Sequence, residues 1–119
     1  MGEFVAAAEA TNLEEVDIAV VASRRIAALN RKYLQHAGAT DVLSFDLSSP
    51  GGGLVAQIIV CAEVAVREAR SRGIGSQREL MLYIVHGLLH VIGYDDTNPQ
   101  AAARMYARQE ELLEAFLSS

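Results

Sequence analysis

The stretch QRELMLYIVHGLLHVIG, residues 77–93, dictates more about the fold than any other part of this chain. It is apolar nearly all round, and a helix without a polar face has to be enclosed by other elements. Ser76 followed by Glu79 matches a capping box at its start, and Gly93 permits the positive φ that stops a helix abruptly. An unbroken central helix is therefore predicted from Gln77 to about Ile92.

The segments on either side supply what encloses it. VDIAVV (16–21), VLSFDL (42–47) and LVAQIIVC (54–61) are rich in β-branched residues or alternate as strands do. The spacing of the last two, across the turn SSPGGG, suits a hairpin or a loose antiparallel pair. Ser23 can cap a helix in which Ile26, Leu29, Tyr33 and Leu34 recur at helical spacing, with Gly38 past its end. Another helix runs from Ala62 towards Arg72 and stops at Gly73. Asn98 caps a final helix with Pro99 at its first position, and Met105, Leu112, Leu113, Phe116 and Leu117 supply its buried stripe. The expected fold is a single α+β domain over residues 1–119, with a small three- to four-stranded mixed sheet, about four helices and the histidine-bearing helix at its centre.

Composition sets the outer limits. At 119 residues, 51% hydrophobic and 21% charged, the chain can bury one core without disulfides. The N-terminus MGEFVAAAEATN has neither a basic run before an apolar stretch nor a span, so a cytoplasmic protein without membrane contact is expected. The single cysteine, Cys61, lies in the apolar run IIVCAEVAV and reads as buried. A net charge of -5 argues against a broad basic face, but not against a local basic cleft. Most of the positive charge is carried by Arg24, Arg25, Arg31, Lys32, Arg67, Arg70, Arg72 and Arg78, while Glu110, Glu111 and Glu114 load the C-terminus with acid.

His86 and His90 stand four residues apart, so they share one face of the central helix. One metal can bridge that spacing at Zn–N distances of about 2.0–2.1 Å. Two hydrogen-bonded core histidines are the alternative. Beyond Gly93 the chain can turn back and bring Tyr94, Asp95 or Asp96 over the same face as a third ligand. Three ligands with an open water position are the arrangement of a catalytic zinc. The motif HExxH of zinc peptidases places its general base where this chain has Gly87, which disfavours peptide hydrolysis. An acid from elsewhere, such as Asp41, Asp46 or Glu63, would have to help activate the water.

HGLLHVIGYDD resembles the HGxLHLxGYDH signature of the YbeY-type endoribonucleases, and LNRKYLQHAGATDVLSF is similar to that family's LN…TDVLSF segment. The two motifs stand in the family's order, and the likeness covers roughly residues 13 to 117. It implies metal-assisted cleavage of single-stranded RNA in ribosomal RNA maturation and quality control, with the ribosome as partner and one Zn²⁺ per chain. On that pattern His86 and His90 are the first two metal ligands, and Asp96 stands where the third histidine is usual. Asp95 is then left to orient its neighbours. A carboxylate is an acceptable zinc ligand, but it leaves less positive charge on the metal and makes harder ions such as Mn²⁺ more competitive.

The chain departs from the family elsewhere too. Leu34 stands where many members carry arginine, so contact with a substrate phosphate falls to Arg31, Lys32 or His36, or goes undone. Ala56-Gln57 replaces a common Gly-Asp, and the family's first strand is not evident. Asp41, Arg31 and His36 are the candidates to act beside the metal-bound water. The substrate is expected in a groove between the metal and Thr40–Phe45, with Arg31 and Lys32 near its mouth. A metal-dependent hydrolase of another substrate, or a weakly catalytic ribosome-associated binding protein, are the competing functions; the oligomeric state is left open.

Overall fold

The computed structural model describes residues 1–34 and 40–118. Eight elements follow in order: α1 (Gly2–Ala8), β1 (Leu13–Val21), α2 (Ser23–Leu34), β2 (Val42–Asp46), β3 (Leu54–Cys61), α3 (Ala62–Arg72), α4 (Ser76–Ile92) and α5 (Pro99–Leu117). The fold is α+β, as its elements imply. The mixed sheet has three strands in the order β1-β3-β2, with β1 parallel and β2 antiparallel to β3. The antiparallel pair is the expected hairpin. The mixed sheet is as expected, but the strand that pairs in parallel with β3 was not read from the sequence, and neither was α1, which precedes the first strand as a fifth helix.

β3 is the middle strand and is buried along most of its length, because both neighbours and both faces cover it. Side chains alternate across a strand, and the register sets Val42 opposite Val60 and Ser44 opposite Ile58. These residues share the face on which α4 lies. Gly87 explains the close fit of that helix, since a Cβ there would stand 3.1 Å from Ile58 Cγ2 and 3.2 Å from Val42 Cγ2. α1, α3 and α5 pack around α4, so the apolar helix is enclosed as its sequence requires. Phe4 of α1 meets Phe116 of α5 edge to face, with centroids 5.5 Å apart.

Three local readings change on inspection. The capping box at α4 does not form: Gly75 is the N-cap, without a side-chain bond, and Glu79 turns inwards. Its side chain is 0% exposed and is paired with Arg72 at 3.3 Å. A buried carboxylate needs a partner more than a helix end open to water needs a cap. Burial and a hydrogen bond with Glu79 push the Tyr83 hydroxyl well above the ordinary phenol range. Ser23 is the first helical residue of α2, and the Glu63 carboxylate accepts its N–H at 2.8 Å. Leu117, assigned to the buried stripe of α5, is exposed, whereas Met105, Leu112 and Leu113 are buried. Asn98 caps that helix as expected, accepting the Ala101 N–H at 2.8 Å. Cys61 is buried.

Candidate metal centre

α4 carries both histidines on one side, and their Nε2 atoms lie 3.1 Å apart. Gly93 ends the helix at φ 133°, with its own N–H and that of Tyr94 both donated to the Leu89 carbonyl. That reversal brings Asp96 back, placing its Oδ2 3.7 Å from His90 Nε2. One donor atom from each of His86, His90 and Asp96 lies within 4.8 Å of the others. Tetrahedral zinc with bonds of about 2.0–2.1 Å sets its donors roughly 3.3 Å apart, so the three fit one ion after small side-chain rotations.

His86 is held from behind. Its Nδ1 is 2.9 Å from Gln109 Oε1 on α5, so the amide oxygen takes the Nδ1 proton and Nε2 presents a lone pair. Without an ion, that lone pair can accept a hydrogen bond from His90 Nε2–H at 3.1 Å; with one, both Nε2 atoms can turn to the shared cation. Gln109 is 7% exposed. It was missed in the sequence although a signal exists: it stands four residues after Met105 and three before Leu112, a polar residue within an apolar stripe. Loss of such a supporting hydrogen bond typically costs 10–100-fold in metal affinity. Gln109→Leu is accordingly expected to weaken metal binding by about tenfold or more while preserving the core, as checked by titration against a competing chelator.

Asp95 has a different role from its neighbour. Its Oδ1 accepts the Thr97 hydroxyl at 2.9 Å and the Thr97 N–H at 3.2 Å. These two bonds, the hydroxyl first, hold its carboxyl below the usual carboxylate range. Asp95 thus closes the turn that carries Asp96.

A groove of about 400 Å³ opens over the pair, lined by Asp41, Val42, Leu43, Ser44, Asp46, His86, His90 and Val91. Asp41 is exposed, and its Oδ1 accepts the Val42 N–H at 2.8 Å. Asp46 lies further along, its carboxyl held low by the Ser48 hydroxyl and then the Ser48 N–H. His86 and Asp41 also line a second hollow of about 580 Å³ that continues past Arg67, Arg72 and Tyr106. Glu63 is engaged at the start of α2. Arg31 and Lys32 are exposed in the last turn of α2 and are not among the groove's lining residues. His36, like Gly38, lies outside the described residues.

Two imidazoles and a carboxylate that could hold one metal ion, beside a groove on a small α+β fold, put the chain in the class of proteins with a candidate metal site. Comparison with known proteins makes the class particular. The family model for Endoribonuclease YbeY matches residues 2–117, and the chain belongs to that family, whose members are RNA-cleaving hydrolases. An Endoribonuclease YbeY of a Nocardioides species is 35% identical over 113 residues, covering 87% of this chain and 76% of that protein. One from an Anaeromyxobacter species is 43% identical over 103 residues, and there the chain spans only 54% of the relative's length. The solution structure of TM1509 from Thermotoga maritima superposes with a TM-score of 0.67 at 27% identity, covering 94% of this chain and 73% of that one.

Proposed function

We propose that this chain cleaves single-stranded RNA by metal-assisted hydrolysis, with ribosomal RNA as substrate and the assembling ribosome as its setting. The observation that carries this reading is the closeness of His86, His90 and Asp96, with one donor atom from each within 4.8 Å of the others, beside an open groove that both histidines line. One divalent ion held there, Zn²⁺ or a harder ion such as Mn²⁺, supplies Lewis-acid stabilisation of charge on a phosphodiester and on the attacking water. The protein supplies the rest. Gln109 orients His86, and the backbone of β2 floors the groove. Asp41, exposed and lining the groove, is the carboxylate we assign to accept a proton. Gly87 stands where peptidases of the HExxH type carry their base, and the one carboxylate of α4, Glu79, is buried and paired with Arg72.

Among the described residues no helix is long and apolar enough to cross a membrane. The test is incubation of purified protein with a defined single-stranded RNA, with chelator and after metal is restored. Cleavage that needs the metal supports the reading; metal-bound protein that leaves RNA intact defeats it.

Asp96 refines the same test. Asp96→Ala should lower metal affinity sharply, whereas Asp96→His should retain the metal and replace an anionic donor by a neutral one. Asp95→Ala, which frees Thr97 but removes no donor, should do less. Metal titration across the three variants decides; equal loss at both aspartates would show that the turn, not the Asp96 oxygen, is what matters.

A further inference from the structure

The face of the sheet opposite α4 is covered by α2, and its chemistry differs from that of the rest of the molecule. The chain has ten Lys and Arg against fifteen Asp and Glu, yet α2 (SRRIAALNRKYL) holds four cations and no acid. Arg24, Arg25, Arg31 and Lys32 are all exposed, and none forms an ion pair with a described residue. Arg24 and Arg25 stand in the first turn, where the helix dipole opposes positive charge. They do not serve the stability of the helix that carries them.

Arg25 borders a hollow of about 550 Å³, whose lining also includes Leu29, Tyr33, Phe45, Leu47 and Gln57. Tyr33 is 56% exposed. Its ring meets Phe45 edge to face with centroids 5.8 Å apart, and Lys32 Nζ lies 5.2 Å from its centroid. Exposed aromatic rings flanked by unpaired cations are what non-specific single-strand binding uses: bases stack on the rings while arginines take the phosphates. β2 joins this face to the metal groove, because it is an edge strand with Ser44 and Asp46 turned to one side and Phe45 to the other.

We infer that the α2 face is a second RNA-binding surface, which holds single-stranded RNA outside the point of cleavage after the strand rounds the edge of β2. The inference rests on the RNA-cleaving reading for its choice of nucleic acid, and on α2 and β2 for its place.

The test uses metal-loaded protein and two hydrolysis-resistant single-stranded RNAs (2′-O-methyl, phosphorothioate), one of about 16 nucleotides and one of about 4. R24E/R25E should weaken binding of the longer RNA about tenfold or more. It should also lower the slope of log K against log salt by about 1.4, as for two lost single-strand phosphate contacts. Y33A should weaken it about tenfold with the slope unchanged, since stacking releases no counterions. Both variants should bind the short RNA, and cleave a short unmodified one, as the parent does. Acidic residues in the first turn favour the helix, so a loss in R24E/R25E cannot be assigned to unfolding.

Unchanged binding of the longer RNA in both variants overturns the proposal. So does an equal loss on short and long RNA, which would assign these residues to the cutting groove. A change in solution mass on charge reversal, with RNA binding unaltered, would identify the face as an interface between copies and also overturn it. Binding is read without cleavage, so a chain that holds the longer RNA through α2 and cuts nothing sinks the hydrolytic function and leaves this surface standing.

Discussion

Protein in which His86 and His90 are both replaced by alanine is expected to purify without stoichiometric metal and to leave RNA uncut. On the proposed reading the two Nε2 atoms, 3.1 Å apart, are two of three candidate donors, and Asp96 alone, exposed on a turn, would not retain an ion. The fold should survive. Both rings are only partly buried and open into the groove rather than into the core. His86→Ala does leave Gln109 without its partner, which costs about 1–3 kcal/mol if no water replaces the ring. Metal analysis and circular dichroism on the same sample give the answer. Stoichiometric metal in the double variant would place the site elsewhere.

A second large effect is expected at Gly87, this time on folding. Gly87→Glu would recreate the HExxH pattern, and a reader of sequence alone would look for gained peptidase activity. The structure gives the opposite expectation, because Gly87 is the point at which α4 touches the sheet. Its missing Cβ would lie 3.1–3.2 Å from atoms of Ile58 and Val42. A carboxylate there would be buried without a cation, and an uncompensated buried charge costs about 3–5 kcal/mol, a large part of the stability of a domain this size. Gly87→Ala is the control: overpacking of about 1–3 kcal/mol is partly offset by about 1 kcal/mol of helix propensity. Denaturant unfolding should rank parent, alanine and glutamate in that order. A glutamate variant as stable as the parent would remove the close contact from the account.

What could be read from the sequence, and what could not, divides along physical lines. The helix boundaries at Gly73, Gly93 and Asn98-Pro99 were legible because each depends on one residue's local geometry. The hairpin of β2 and β3 was legible because its pairing is local. The parallel partner of β3 was not, since nothing near Val16 announces a mate forty residues away. The inward turn of Glu79 was hidden because it answers a tertiary need, its pairing with Arg72, that overrides a sound local motif. At the site, the candidate ligands His86, His90 and Asp96 were named as such because they lie on one short segment. Gln109 was not, because its function depends on how α5 crosses α4. Arg31 and Lys32 were expected near the groove's mouth because Leu34 leaves a phosphate contact to another cation, but exposed cations at the end of a helix carry no record of which side of the sheet they border.

The parallel pairing of β1 with β3 also bears on the order of assembly. β2 and β3 can zip as a neighbouring hairpin, whereas β1 must wait until α2 and the hairpin have formed before its partner is within reach. Closing so long a loop is an entropic barrier repaid only late. Substitutions that weaken the hairpin should therefore slow folding, and those confined to β1 should chiefly hasten unfolding. On the ribosome, β1 emerges first and is the last strand to find its place.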